Sequence, residues 1–177
     1  MDIDLNAQGR AQALAARKRF DGEVVHKVYT SDRLRAISTA RIIFEGMPYE
    51  AVSDLREIHF GVLEGLTHNE IMERYSAVYT QWLSDPYSVV IPEAEGLPDF
   101  RSRVVKAFEM IAAAHQGQTA AVVCHGGVIS VFITHILRTN DFWKQIPGSA
   151  SLSIVEYEGA CPRITLLNDT SHLEAGG

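Results

Sequence analysis

The sequence predicts a three-layer α/β/α domain built on a mostly parallel sheet. Two observations carry this. Short β-branched and aromatic runs alternate with segments of helical periodicity through much of the chain. The run Ala120 to Cys124 is continuously apolar, as a strand buried on both faces requires, and a helix follows it directly.

The elements follow in order. Asn6 is placed to cap a helix reaching Phe20, and Val24 to Thr30 is a strand. Ser31 or Asp32 caps a second helix, whose apolar face is Leu34, Ile37, Ala40 and Phe44, and Met47-Pro48 ends it. A weaker strand covers 51–55. Thr67 and Glu70 have capping-box spacing ahead of a helix with Ile71, Tyr75, Val78 and Trp82. The three prolines in 84–98 mark a loop or lid, and the lid or insert as a whole is read as 62–97. A long helix carries Phe100, Val104, Phe108 and Ile111 and closes near Gly117. Strand 119–124 leads through His125-Gly126-Gly127 into a helix from about Val128 to Leu137. Strands at 151–157 and 163–167 complete the chain, read as one domain over residues 1–177.

At 46% apolar and 21% charged residues, the 177-residue chain can bury a proper core. A net charge of −6 without a basic run argues against a nucleic-acid partner. Two cysteines make no disulfide framework, which fits a cytoplasmic setting. Neither a signal peptide nor a stretch long enough to span a membrane is expected. No His, Cys or carboxylate cluster has zinc spacing, and no cofactor is expected. Oligomeric state stays open, a dimer included.

Ligands of α/β sheets sit outside the carboxyl ends of the strands. Three segments stand there. In Val122-Val123-Cys124-His125-Gly126-Gly127, the glycines allow close approach and the new helix presents free N–H groups, which suits a phosphate. In Ser31-Asp32-Arg33-Leu34-Arg35, Arg35 falls in the first helical turn, a poor place for a cation unless it reaches forward to an anion. Arg33 reads as an ordinary solvated arginine. In Leu55-Arg56-Glu57-Ile58-His59-Phe60-Gly61, Glu57 can be desolvated and serve as a general acid; a surface pair with Arg56 is the plainer alternative. Cys124 beside His125 invites a thiol-phosphatase reading, but Ser130 stands where that chemistry needs arginine, so Cys124 reads as a small buried residue.

Taken in order, these segments resemble the histidine phosphatase (phosphoglycerate-mutase-like) superfamily. Leu5 to Ala13 is similar to its first-helix signature, Ser31-Asp32 through Thr39-Ala40 to its second-arginine motif, and Leu55 to Thr67 to its acid-bearing segment. His125-Gly126-Gly127 resembles its second-histidine motif, and Asn168 to Leu173 its tail. The resemblance implies that Arg35, His125 and Gly126 bind the phosphoryl group of a small phosphorylated metabolite. It implies that Glu57 protonates the leaving group and that His59 and His172 are structural. The implied activity is metal-free phosphomonoester hydrolysis through a phosphohistidine intermediate.

Two departures qualify it. The family's Arg-His-Gly triplet, which carries the nucleophile, occurs nowhere in the chain. A central first strand with its loop, about 25 residues, is therefore expected to be missing. The sheet should then show a gap, an intruding segment or a swapped strand, and the chain should be inert or nearly so. Second, Pro92-Glu93-Ala94-Glu95-Gly96 replaces the family's Pro-Gly-Gly-Glu-Ser, with Glu95 at the acidic position. A non-catalytic phosphoester-binding protein or pseudophosphatase is the alternative. Phosphoglycerate mutase ranks below both, because the lid is short for that chemistry.

Overall fold

The computed structural model describes residues 2–174. The helices are α1 (Ala7–Arg17), α2 (Leu34–Ile43), α3 (His68–Ser84), α4 (Leu97–Ala114), α5 (Gly126–Leu137) and the single turn α6 (Ser171–Glu174). The strands are β1 (Lys27–Ser31), β2 (Tyr49–Val52), β3 (Ala120–Val123), β4 (Leu152–Glu158) and β5 (Cys161–Asp169). No helix among the described residues is long and apolar enough to cross a membrane.

β1 lies between β2 and β3 and is parallel to both, with Thr30 opposite Ala51 and Val123. Alternate side chains point to opposite faces of a strand, and this alternation builds the layers. Val28, Ala121 and Val123 pack with Ala40 and Phe44 of α2 and with Phe20. Tyr29, Ala120, Val122 and Cys124 face the larger core on the other side. There Phe100, Val104 and Val128 are essentially inaccessible, and Phe108 and Phe132 stack with ring centres 3.9 Å apart.

The sheet is divided. β3 pairs with β1 alone, and β4 and β5 form a separate antiparallel hairpin. The strand ending at Cys124 thus has a partner on one side only, and the parallel sheet expected from the sequence is confined to three strands.

Local codes explain most boundaries. Asn6 Oδ1 accepts from Gly9 N at 2.8 Å and starts α1. Thr67 and Glu70 form the reciprocal capping box of α3. Other boundaries differ from expectation. The second strand is 49–52, not 51–55, because Ser53–Leu55 turn into a 3₁₀ helix that puts Leu55 in the core. Neither Ser31 nor Asp32 is the N-cap of α2. Ser31 ends β1, Arg33 is the cap residue, and Asp2 Oδ1 accepts the Leu34 N–H at 2.9 Å. α5 begins at Gly126, before Val128, so both glycines are helical.

The segment 62–95 is tied down at its ends. Val62 N donates to the Pro92 carbonyl at 3.1 Å, and Glu95 N to the His59 carbonyl at 3.0 Å. Gly61 is required at this crossing: its φ is +54°, and a Cβ there would lie 2.1 Å from the Pro92 oxygen.

Candidate active site

The carboxyl ends of β1 and β3 deliver Ser31 and His125 to the same place. His125 Nε2 and Ser31 Oγ are 2.8 Å apart, and His125 is only 7% exposed. Burial pushes the imidazole down to a pKa of about 4, helped by the positive charges of Arg35, Arg33 and Arg103. The resting imidazole is therefore neutral at pH 7.

Glu57 reaches the start of α5. Its Oε2 accepts from Gly127 N at 3.0 Å and its Oε1 from Ile58 N at 3.0 Å. A Cβ on Gly127 would lie 2.3 Å from Glu57 Oε1, so only glycine lets the carboxyl come this close. Burial raises the Glu57 pKa; the two backbone donors and the charge of Arg35 oppose this without cancelling it. A carboxyl that holds its proton beside a cleft can act as a general acid. It is not paired with Arg56, whose guanidinium instead grips Asp32, with Nε to Oδ1 at 2.7 Å.

Arg35, Glu57 and Gly127 share one cleft of about 730 Å³. Arg35 forms no side-chain hydrogen bond or ion pair among the described residues, which leaves its guanidinium available to an anion. Arg33 also lines the cleft and is half-buried, so it is not the plain solvated arginine expected. The sequence-predicted residues do not all reach the cleft wall. His125, bonded to Ser31, and Gly126 are not among the residues that line it.

Three participants carry no local sequence signature of their role. Ser31 looks in sequence like a helix cap, and Arg33 like a solvated arginine. Arg103 donates through Nε and Nη2 to Glu95 at 2.6 and 2.8 Å, and to the carbonyls of Asp54, Arg56 and Glu57 at 2.7, 3.0 and 3.4 Å. It thereby pins the segment that carries Glu57 and explains why Glu95 is there. Arg103 sits on the inner face of α4, three residues after Phe100, and that placement was the only sequence signal available.

The remaining groups have other roles. Cys124 is only half-buried by exposure, yet its thiol is enclosed enough to be pushed up to about 12, too high for a thiolate nucleophile. His172 contacts the Ala150 carbonyl at 2.9 Å and holds the tail. His59 is an exposed rim residue whose Nδ1 accepts from Gly61 N at 3.1 Å. Among the described residues, no group of three or more His, Cys, Asp or Glu is placed to hold a metal ion.

The neutral His125 makes stability depend on pH. An unfolded histidine titrates near pH 6.5 and the folded one near 4. Above pH 6.5 neither state binds the proton. As pH falls from 6.5 towards 4, the unfolded chain takes it up and the folded chain does not, so stability is lost in that window. The loss attributable to His125 should reach on the order of 3 kcal/mol by pH 4. Urea unfolding of wild type and His125→Asn at pH 7, 5.5 and 4.5 reads it as a gap that shrinks towards acid. Parallel curves for the two proteins would rule it out.

Comparison with known proteins places this geometry. The family model described as "Histidine phosphatase superfamily (branch 1)" matches residues 1–170. A metal-independent phosphoserine phosphatase of Arabidopsis thaliana is 32% identical over 182 aligned positions, covering 100% of this chain and 76% of that protein. A protein of Hydrogenobacter thermophilus named putative phosphoserine phosphatase 2 is 28% identical, covering 97% of this chain and 86% of that one. The solved structure of Bacillus stearothermophilus YhfR superposes with a TM-score of 0.93 at 29% identity, over 97% of this chain and 88% of that one.

Proposed function

The chain belongs to the histidine phosphatase superfamily, and on that premise we propose that its cleft is a phosphomonoester site able to bind and protonate but not to attack. The observation that carries this is the cleft shared by Arg35, Glu57 and Gly127 at the start of α5, the helix that His125 caps. Arg35 takes the phosphoryl oxygens. An incoming dianion raises the proton affinity of His125, which then shares the charge with the Gly126 N–H at the start of α5. Glu57, whose proton affinity burial raises, gives its proton to the leaving oxygen.

In-line attack is the missing step. Among the seven histidines, His125 alone follows directly on the carboxyl end of a strand, and its Nε2 is held by Ser31. The unpaired edge of β3 is where a further strand carrying a nucleophilic histidine would dock. With such a strand, the chemistry is hydrolysis through a phosphohistidine, with water taking the phosphoryl group in the second step. Without it, the chain is a phosphoester-binding protein. Phosphoserine is a natural member of any substrate panel, because the relatives named for that activity cover the chain almost completely.

The test is anion binding. Titration calorimetry of the wild-type chain with inorganic phosphate or vanadate should give a saturable isotherm. Arg35→Ala should weaken it at least about tenfold, since it removes a charge-assisted, bidentate donor. An unchanged isotherm in Arg35→Ala would show that the anion sits elsewhere.

A further inference from the structure

The cleft is much larger than a phosphoryl group needs, and most of its wall is neither charged nor polar. Beyond Arg33, Arg35 and Glu57 the surface passes to Phe60, Trp82 and Trp143. These rings are held edge to face: Phe60 to Trp82 at 5.1 Å, Trp82 to Trp143 at 4.7 Å with planes at 90°. Phe142 braces both tryptophans at 6.4 and 5.0 Å from within the core, where it is 3% exposed. The wall is therefore preorganised. It is also uncovered, since Trp143 remains 40% exposed and Ile146 beside it 39%. The anion holder and the apolar wall line the same cavity, so a single ligand can span them.

We propose, resting on the phosphomonoester reading above, that the cleft selects phosphomonoesters whose alcohol half is aromatic or bulky and apolar, seated on the wall of Phe60, Trp82 and Trp143. The phosphoryl group sits on Arg35 and the ring lies against Trp143, with the ester oxygen between them near Glu57. An amino-acid phosphoester gains little here. Its ammonium and carboxylate would be desolvated against rings and aliphatic side chains, and Glu64, the acidic group further along the cleft, already accepts from Phe60 N at 3.3 Å. An aryl group gains the burial of one ring face against a rigid, water-poor wall.

The test uses non-hydrolysable phosphonates on the 177-residue chain. Methylphosphonate, 1-naphthylmethylphosphonate and 2-amino-4-phosphonobutyrate, an isostere of phosphoserine, are compared by calorimetry and by tryptophan fluorescence. The naphthyl ligand should bind roughly 10- to 100-fold more tightly than methylphosphonate, from the apolar area it buries. It should also quench tryptophan emission. The amino-acid phosphonate should bind no more tightly than methylphosphonate. Trp143→Ala should cut the naphthyl-to-methyl affinity ratio to below about threefold. Ile146→Asp, at an exposed position that folding tolerates, should cut it in the same direction. Equal affinity for the naphthyl and methyl ligands, or tightest binding of the amino-acid phosphonate, overturns the inference while leaving the phosphate site intact. Failure of all three ligands and of inorganic phosphate to bind sinks the phosphomonoester reading itself, and the inference with it.

Discussion

Assayed on p-nitrophenyl phosphate, the 177-residue chain should show no turnover above background. The same chain lengthened upstream by a strand ending in Arg-His-Gly should be faster by at least roughly 10⁴-fold. The expectation follows from excluding each candidate nucleophile. Cys124 is held as a thiol, with a pKa of about 12. Glu57 has its proton affinity raised by burial, and once ionised it would be repelled by a phosphate dianion. His125 is buried, and its Nε2 faces Ser31 Oγ at 2.8 Å, so it can polarise a phosphoryl oxygen from behind but has no in-line approach. What remains can stabilise charge and donate a proton, without the covalent step that divides the reaction. The sheet supplies the place for the added strand, because β3 has a partner only on the β1 side and the β4–β5 hairpin stands apart. Equal rates for the short and lengthened chains, with His125→Ala abolishing both, would make His125 the nucleophile and end this account.

The second large effect is on stability. Arg103→Ala should destabilise the protein by about 3 kcal/mol, because one guanidinium satisfies a carboxylate and three carbonyls at once. Its ion pair with Glu95 is partly solvated, with side chains 23% and 21% exposed, so little of the effect comes from that pair alone. The carbonyls of Asp54, Arg56 and Glu57 lose their donor as well, with water able to replace it at the exposed Asp54 and Arg56. Packing adds to it, since the guanidinium lies 4.7 Å from the centre of the Phe100 ring. Arg103→Lys should recover less than half, because an ammonium cannot address both sides of the clamp with fixed planar geometry. Urea unfolding measures both variants. A change under 0.5 kcal/mol in Arg103→Ala would show that these contacts do not hold the Glu57 segment.

The residues legible in the sequence are those whose partners lie within a turn or two. Asn6 caps α1 through Gly9, and Thr67 and Glu70 cap each other, because the relevant N–H groups are three residues away. The apolar run at β3 and the helix that follows it were legible for the same reason, as was the first-turn position of Arg35, although both glycines after His125 are helical. The tertiary structure decided the rest. Ser31 meets His125 across 94 residues, Glu57 meets Gly127 across 70, and Arg103 meets Asp54 across 49. Such pairs carry no local signature: a serine at a strand end reads as a cap, and an arginine on a helix reads as solvated. Their roles arise only when parallel strands bring distant chain ends side by side. There burial removes the water that would otherwise satisfy each group, which lowers the proton affinity of His125, while hydrogen bonds of ordinary strength fix the positions of His125 and Glu57.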